Sequence, residues 1–383
     1  MGLGTAMWER LRSVRWCSWP SLVGVVTAIV VVRMHELLLD PTLRVEDGAR
    51  VFAHFYVKRD LAELFRFKSG YVPLLPNAIG YLSVRLPVTL SPYFLTIVPT
   101  LLAIAAFTSF FAAPFRTLVR DDRVRFVGCV ALALAPVGQY LLVSHTDYSI
   151  WSALFLALLW AMVSFPRRLG FALASFSGQQ VLIWTSPVSF VLAPIHAFYL
   201  PRNRGRRERA WQLAMLFGHA LHFFFGLEGP RSVLALDRFA NAHAFVEAAS
   251  AAYRLLARVI VDAVFGPGSA WARTHVPWLI VAWQALVLIL LCVALVRPSP
   301  RMARRLLAFL AYAIVALTLT VAFTRFDLQR RVPQRYVYVQ ALSHVLLVYL
   351  LGLRFLEPVL TRFAMRWSRF RLRFLTPLPA PSA

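Results

Sequence analysis

The sequence predicts an all-α, polytopic membrane protein, a transmembrane helical bundle of about 10 spans with a range of about 8–11. Hydrophobic residues make up 59% of the 383 residues and charged residues only 15%, and the mean hydropathy is +0.64. Soluble domains are about 45–50% apolar, and so little polar surface could not cover this apolar mass in water. The 41 Lys and Arg residues, against 17 Asp and Glu, fall in short clusters between apolar runs. This pattern disfavours a nucleic-acid-binding protein, which needs one continuous basic face.

A spanning helix needs about 20 mostly apolar residues, and the apolar runs predict where the spans lie. The stretch 169–200 is too long for one span, and Gly178 and Pro187 interrupt it, so we expect two short or broken passes. The first span is expected to stay uncleaved, because no small-x-small site follows the apolar run Leu22–Val32. The predicted spans are 20–39, 90–113, 126–144, 148–165, 169–183, 185–200, 210–226, 276–296, 306–323 and 336–353.

The distribution of arginine predicts the orientation, because loops rich in positive charge stay in the cytosol. With the N-terminus inside, the cytosolic segments hold most of the basic residues and few acids, and the C-terminus is also cytosolic. We expect one integral membrane domain, 1–383. Only Lys58 and Lys68 are lysines, and this preference for arginine indicates a GC-rich bacterial source. We expect the protein in the bacterial cell inner membrane. The predicted cytosolic segments are 1–19, 114–125, 166–168, 201–209, 297–305 and 354–383.

Two predicted outer segments are too long for simple turns. The first long segment is 40–89 and the second long segment is 227–275. Both have helical periodicity without enough apolar length to span, so we expect interfacial amphipathic helices on the outer leaflet. The segment 354–383 alternates arginine with aromatic residues and is expected to be a basic cytosolic tail resting on anionic lipid.

Acids concentrate in the first long segment, and the sharpest group is Glu46-Asp47-Gly48. Adjacent carboxylates repel one another, which suits a general base working near neutral pH. Asp47 and Glu46 are therefore the candidate catalytic residues. The alternative is a helix N-cap in which Asp47 accepts backbone N–H bonds while Glu46 is solvated.

Five further polar residues are candidates for a substrate groove. The helix expected after Gly70-Tyr71 carries polar and aromatic positions that could line it, although tyrosines also anchor helices at the membrane interface. The short turn 144–148 could bring His145 and Asp147 towards the first long segment, and as an isolated turn it could equally be only a turn. An irregular backbone near Gly178 would need protein or water around it. The groove residues are Tyr71, Asn77, His145, Asp147 and Gln179.

A late arginine cluster is predicted on the outer side, where positive charge should be scarce. Asp327 can neutralise only one of these arginines, and guanidinium binds phosphate through two hydrogen bonds. A lipid phosphate at the outer leaflet would supply the missing charge. The alternative is contact with lipid headgroups without a function. The candidate phosphate-binding residues are Arg331, Arg335, Arg330, Arg325 and Tyr336.

The order of these motifs resembles the GT-C integral-membrane glycosyltransferases, and more closely a bacterial group of polytopic proteins with a Glu-Asp-Gly motif in the first outer loop. The likeness is carried by Glu46-Asp47-Gly48 with Phe52, Gly70-Tyr71, Ser177-Gly178 with Pro187, and Arg335-Tyr336. It implies a base at Asp47 or Glu46 and late arginines that hold the donor phosphate. Two features depart from the family: the acids are in the order Glu-Asp, and no soluble domain follows the last span.

These observations predict an inverting glycosyltransferase that moves a sugar from a polyprenyl-phosphate donor to a glycan, lipid or protein acceptor at the outer face. No GxxxxGK[ST], GxGxxG, HExxH or GxSxG motif is present. The expected partners are this donor, its acceptor and membrane lipids, without nucleic acid. No cofactor or metal is expected, and a divalent cation near Asp47 stays an alternative. The alternative function is a transporter or flippase for an anionic lipid or glycolipid.

Overall fold

The computed structural model describes residues 17–41, 46–66, 71–136, 145–163, 169–186, 188–203, 205–227, 246–247, 249–256, 275–296, 301–324 and 338–355. Within these ranges the chain is all-helical and contains no β-sheet. The predicted all-α class is therefore confirmed for the described residues.

Twelve named α-helices follow one another in the described part of the chain. They are α1 Trp19–Leu39, α2 Ala53–Lys58, α3 Leu74–Ser83, α4 Ser91–Thr108, α5 Asp122–Leu134, α6 Ser149–Ala161, α7 Leu169–Thr185, α8 Ala193–Tyr199, α9 Arg206–Leu227, α10 Pro277–Val296, α11 Arg301–Thr324 and α12 Tyr338–Phe355. A π-helix, Glu46–Phe52, precedes α2, and short 3-10 helices cover Leu61–Phe65, Ser109–Phe111, Ala113–Thr117, Thr146–Tyr148 and Ser189–Leu192.

Five helical stretches among the described residues are long and apolar enough to cross a membrane. They are Trp19–Leu39, Ser91–Thr117, Pro277–Val296, Arg304–Ala322 and Tyr338–Phe355. Their length and composition support a membrane protein. Each coincides with one of the predicted spans, and the remaining predicted spans correspond to helices that are shorter or more polar.

The interruption predicted at Gly178 is wrong. The helix α7 runs without a break from Leu169 to Thr185, because a single glycine inside a helix costs only about 1 kcal/mol relative to alanine. The break comes later, between Thr185 and the 3-10 helix that begins at Ser189. Pro187, which lies in this gap, is outside the described residues.

The main core lies where α1, α4, α5 and α6 pack together. Helix α1 contacts α4 and α5, and α6 contacts α4 and α7. Almost every side chain of α6 is buried, which is expected for a helix that is apolar all round and has neighbours on every side. Large aromatic side chains fill this region, among them Phe107, Phe110, Phe115 and Phe155.

Asp121 and Asp122 lie at the start of α5, and both carboxylates have defined partners there. Asp121 is the N-cap of α5, and its side chain accepts the backbone N–H of Arg123. Asp122 pairs with Arg116 at 2.8 Å and with the fully buried Arg125. A carboxylate here also lies at the positive end of the helix dipole.

The described part of the first long segment folds back against the bundle. The π-helix contacts α2, α3 and the 3-10 helix Thr146–Tyr148, while α3 also contacts α4 and α7. Thr185, at the end of α7, accepts the backbone N–H of Leu75 at 3.1 Å, so that α7 supplies a hydrogen-bond partner to the first turn of α3. Most of the second long segment and the tail 356–383 lie outside the described residues.

Candidate functional site

Asp47 lies inside the π-helix Glu46–Phe52 and is a buried residue. Short π-helical segments are rare and occur frequently at functional sites. The backbone of Glu46 begins this helix, and its side chain is not among those the structure describes. Asp47 is therefore the candidate acid whose geometry is defined.

The Asp47 carboxylate holds a turn that is about a hundred residues further along the chain. Its Oδ2 accepts the backbone N–H of Thr146 at 3.1 Å, and its Oδ1 accepts the backbone N–H of Asp147 at 3.1 Å. These N–H groups belong to the 3-10 helix that leads directly into α6. A carboxylate at this position satisfies orphan donors and interacts favourably with the helix dipole.

The N-cap alternative for Asp47 is therefore correct about the kind of bond and wrong about the helix. Asp47 accepts backbone N–H bonds, but from the start of α6 rather than from its own segment. The partners are 99 and 100 residues away in sequence. Capping rules apply to neighbours in sequence, so they could not identify this pair.

The His145 ring contacts the Asp47 carboxylate as well. Its Nδ1 is 2.9 Å from Oδ1 of Asp47, and both side chains are buried, with 7% and 8% exposure. The ring N–H is not directed along a good hydrogen-bond line, so the contact is a close electrostatic one. The ring also packs on Tyr148, with centroids 5.0 Å apart. The Asp47 carboxylate therefore lies beside the His145 imidazole, which is the arrangement that an Asp-His pair requires.

Thr146 connects the turn that carries His145 to helix α4. The Thr146 hydroxyl donates to the carbonyl of Leu95 at 2.8 Å, and Thr146 is fully buried. Leu95 needs this donor because Pro99, four residues later in α4, has no N–H to give it. Ser149 then donates to the Thr146 carbonyl at 2.7 Å. The turn is therefore fixed at both ends.

Acceptor capacity limits what Asp47 can do. A carboxylate offers about four lone-pair positions; Asp47 accepts two backbone N–H bonds, and the His145 ring occupies the space 2.9 Å from Oδ1. A metal ion would have to compete with these donors, and the described residues include no cluster of three His, Cys, Asp or Glu side chains that could hold one. The arrangement fits an orienting carboxylate with an imidazole as proton acceptor.

Of the five predicted groove residues, the structure brings His145 and Asp147 to Asp47. Asp147 is half-buried, and Tyr71 is half-buried at the edge of the described part of the first long segment. Asn77 braces the segment, because its amide donates to the carbonyls of Leu64, at 3.0 Å, and Arg66. Gln179 is buried in the middle of α7. Asn77 is therefore a structural tie rather than an open groove position.

The candidate phosphate-binding residues Arg325, Arg330, Arg331, Arg335 and Tyr336 lie outside the described residues. The first described residue after them is Tyr338, at the start of α12. It lies within interacting reach of Ser152 in the first turns of α6 and of Arg33 on α1, although the Tyr338 and Ser152 hydroxyls do not form a well-directed hydrogen bond. The start of α12 is thus close to the helix that His145 precedes.

Two polar groups were missed by the sequence analysis. The first group is centred on His54. Its Nε2 donates to Glu63 at 2.9 Å and its Nδ1 accepts from Arg66, and these bonds connect α2 to the 3-10 helix Leu61–Phe65. The second is a set of buried histidines on α8 and α9, His196, His219 and His222. The spacing of His219 and His222, one turn apart on an apolar helix, is the signal that could have revealed them.

The site is therefore a buried pair at the N-terminus of α6, in which the first long segment supplies Asp47 and the turn before α6 supplies His145. Comparison with known protein families, with characterised proteins and with solved structures finds no match to this chain.

Proposed function

We propose that this protein is an integral-membrane glycosyltransferase that moves a sugar from a polyprenyl-phosphate donor to an acceptor, with inversion at the anomeric carbon. The proposal includes a bundle of about 10 spans, the outer face of a bacterial inner membrane as the site of reaction, and cytosolic termini. The observation that carries it is the buried Asp47–His145 pair, which the N-terminus of α6 holds in place.

The pair supplies a general base. The acceptor hydroxyl gives its proton to Nε2 of His145, and its oxygen forms a bond to the anomeric carbon. The bond between that carbon and the phosphate oxygen breaks, and polyprenyl phosphate leaves with the electron pair. Asp47 stabilises the imidazolium that results, as in other acid-oriented histidines. Attack on the face opposite the phosphate inverts the sugar.

The late arginines are assigned to the donor phosphate. Arg331 and Arg335 bind it, with Arg330, Arg325 and Tyr336 assisting, because guanidinium stabilises the charge that develops on the leaving phosphate. Support comes from Tyr338, which follows this cluster and lies near Ser152 in the first turns of α6. In this proposal the first long segment and the late arginine cluster line one donor site beside His145.

Product formation tests the proposal. The full-length protein, reconstituted in liposomes with a polyprenyl-phosphate sugar labelled in the sugar and with an acceptor lipid extract, is expected to give a new labelled covalent product. Asp47→Asn and His145→Gln should lose it, while Asp40→Asn, which changes an exposed carboxylate of the same segment, should keep it. Equal product from all four proteins would overturn the assignment.

A second candidate function, transport of an anionic lipid or glycolipid, is favoured by one observation. A transporter needs ionisable groups inside the membrane, and His196, His219 and His222 are buried in the bundle. Counterflow of labelled lipid without any covalent product would support transport and exclude the transferase.

A further inference from the structure

Three histidines are buried where α8 and α9 pack together. His196 lies on α8, and His219 and His222 lie one turn apart on α9; their exposed fractions are 3%, 2% and 4%. Ionisable side chains inside a membrane bundle are rare and expensive, and they are usually functional. The Asp47 site does not use them, so they need an explanation of their own.

The three rings lie in a row, with His219 between His196 and His222, and each end ring has one hydrogen-bond partner. At one end, Nδ1 of His196 donates to Oε1 of Gln212 at 2.8 Å. The His196 and His219 ring centroids are 5.5 Å apart. At the other end, Nδ1 of His222 is 3.1 Å from the Ser189 hydroxyl. The row therefore runs from Gln212 through the three rings to Ser189.

The middle of this row is unsatisfied. Neither ring nitrogen of His219 has a hydrogen-bond partner among the described residues, and neither does Nε2 of His222. A buried polar group left without a partner costs about 1–3 kcal/mol, and buried water is the usual remedy where several polar groups surround the space. The His196 and His219 rings are already in contact, with centroids 5.5 Å apart, so water is needed only where two ring nitrogens do not face one another.

The surroundings of His219 carry no other charge. The titratable groups that act on its ring are His196 and His222. The residues that face this part of α9 are uncharged. Gln180 lies against Gly218, where an added Cβ would be 2.8 Å from the Gln180 Nε2. Trp184 packs on His222, with ring centroids 5.3 Å apart. No acid or arginine among the described residues is therefore available to fix a charge on the row.

A metal site does not explain the arrangement. Among the described residues no three His, Cys, Asp or Glu side chains lie close enough together to hold one ion. His196 and His222 instead use one nitrogen each on Gln212 and Ser189. Because the end rings each bind a protein partner and both nitrogens of His219 and Nε2 of His222 do not, the geometry is that of a row rather than a cage around one ion.

We propose that His196, His219 and His222, with bridging water, form a proton relay through the interior of the bundle. A proton binds one ring nitrogen while the other nitrogen releases its own, so that only N–H bonds exchange. The His196 and His219 ring centroids are 5.5 Å apart, and His219 and His222 are about 4.5 Å apart along the axis of α9, so the rings cover about 10 Å, or about a third of the hydrocarbon thickness. The inference rests on the proposed spanning of α9 and is independent of glycosyl transfer.

Proton flux into liposomes tests the relay. The full-length protein is reconstituted with a pH-sensitive dye inside, and a potassium gradient with valinomycin drives protons inward. The wild type is expected to acidify the interior faster than protein-free liposomes, and His219→Leu should return the rate to that background. His35→Leu, which changes an exposed histidine of α1, should keep the wild-type rate.

Folding of the variant is checked by its thermal unfolding in detergent. His219→Leu should unfold close to the wild-type temperature, because leucine needs no hydrogen-bond partner at a buried site. His219→Gln is the second variant: it keeps a polar side chain but cannot accept and release a proton, so it should also lose flux. Wild-type flux equal to the background, or full flux in both folded variants, would overturn the proposal. Sugar transfer by the His219 variants separates this outcome from failure of the proposed enzymatic function.

Discussion

Thr146 supplies the hydrogen-bond donor that a proline removes from α4. Pro99 leaves the Leu95 carbonyl without its helical donor, and the Thr146 hydroxyl, at 2.8 Å, replaces it. We expect Thr146→Val to lower the free energy of unfolding by about 1–3 kcal/mol, because the carbonyl then stays buried without a partner. Thermal unfolding in detergent measures this change. Thr117→Val, at an exposed hydroxyl that bonds the Pro114 carbonyl, should change stability by less than about 0.5 kcal/mol.

A double-mutant cycle isolates this contact. Pro99→Ala restores the N–H that Leu95 lacks, so the cost of Thr146→Val should shrink in the Pro99→Ala background. If Thr146→Val costs the same with and without Pro99, the hydroxyl is not compensating for the proline.

Arg125 and Arg116 share one carboxylate and differ in burial. Arg125 is fully buried on Asp122, while the Arg116 side chain is 59% exposed. Arg125→Ala should lower the free energy of unfolding by about 2–4 kcal/mol, since it breaks a buried pair and opens a cavity. Arg116→Ala should cost less than about 1 kcal/mol. Chemical or thermal unfolding of both variants measures the difference, and equal effects would show that the burial of Arg125 contributes nothing.

The contact between α3 and the π-helix depends on a glycine. A Cβ on Gly80 would overlap Val51 and lie 2.8 Å from Cδ2 of Phe55. We expect Gly80→Ala to push α3 away from the segment that carries Asp47, at a cost of about 1–3 kcal/mol in stability. Increased cleavage of the first long segment by an added protease would reveal the displacement.

Gly178→Ala is the matched control for this change. Gly178 also lies inside a helix, and a Cβ there meets nothing within 4 Å. The substitution should be neutral or should stabilise the helix by about 0.5–1 kcal/mol. If both glycine variants behave alike, close packing at Gly80 is not what holds the segment.

Helix positions could be predicted from the sequence because long apolar runs have few alternatives in a membrane protein. Predictions based on neighbouring residues were less successful. Gly178 was expected to interrupt the stretch 169–200, but α7 runs through it without a break.

The site itself was only partly predictable. The clustering of acids placed Asp47 among the candidate residues, and the turn at His145 was one of two open alternatives, a contact with the first long segment or only a turn. The specific bonds from Asp47 to Thr146 and Asp147 join residues about a hundred positions apart, and only the packing of the whole bundle decides such pairs. The histidines of α8 and α9 look like isolated polar residues until the two helices are placed side by side.

The orientation of the whole molecule has a direct test. The proposed topology puts the first long segment outside and the start of α9 in the cytosol. In a background with Cys17, Cys129 and Cys292 replaced, Asp60→Cys should react with an impermeant maleimide in intact cells. Arg207→Cys, at a residue that is equally exposed in the fold, should react only after the membrane is permeabilised. The reverse pattern would invert the topology and remove the outer-face site.

The dependence of the initial transfer rate on donor concentration tests the central claim most directly, because it separates proton removal from phosphate binding. His145→Gln should lower kcat by about 100-fold or more and leave the KM for the polyprenyl-phosphate donor unchanged. Arg335→Ala should raise that KM. Wild-type kcat in His145→Gln and Asp47→Asn, measured on folded protein, would contradict the account.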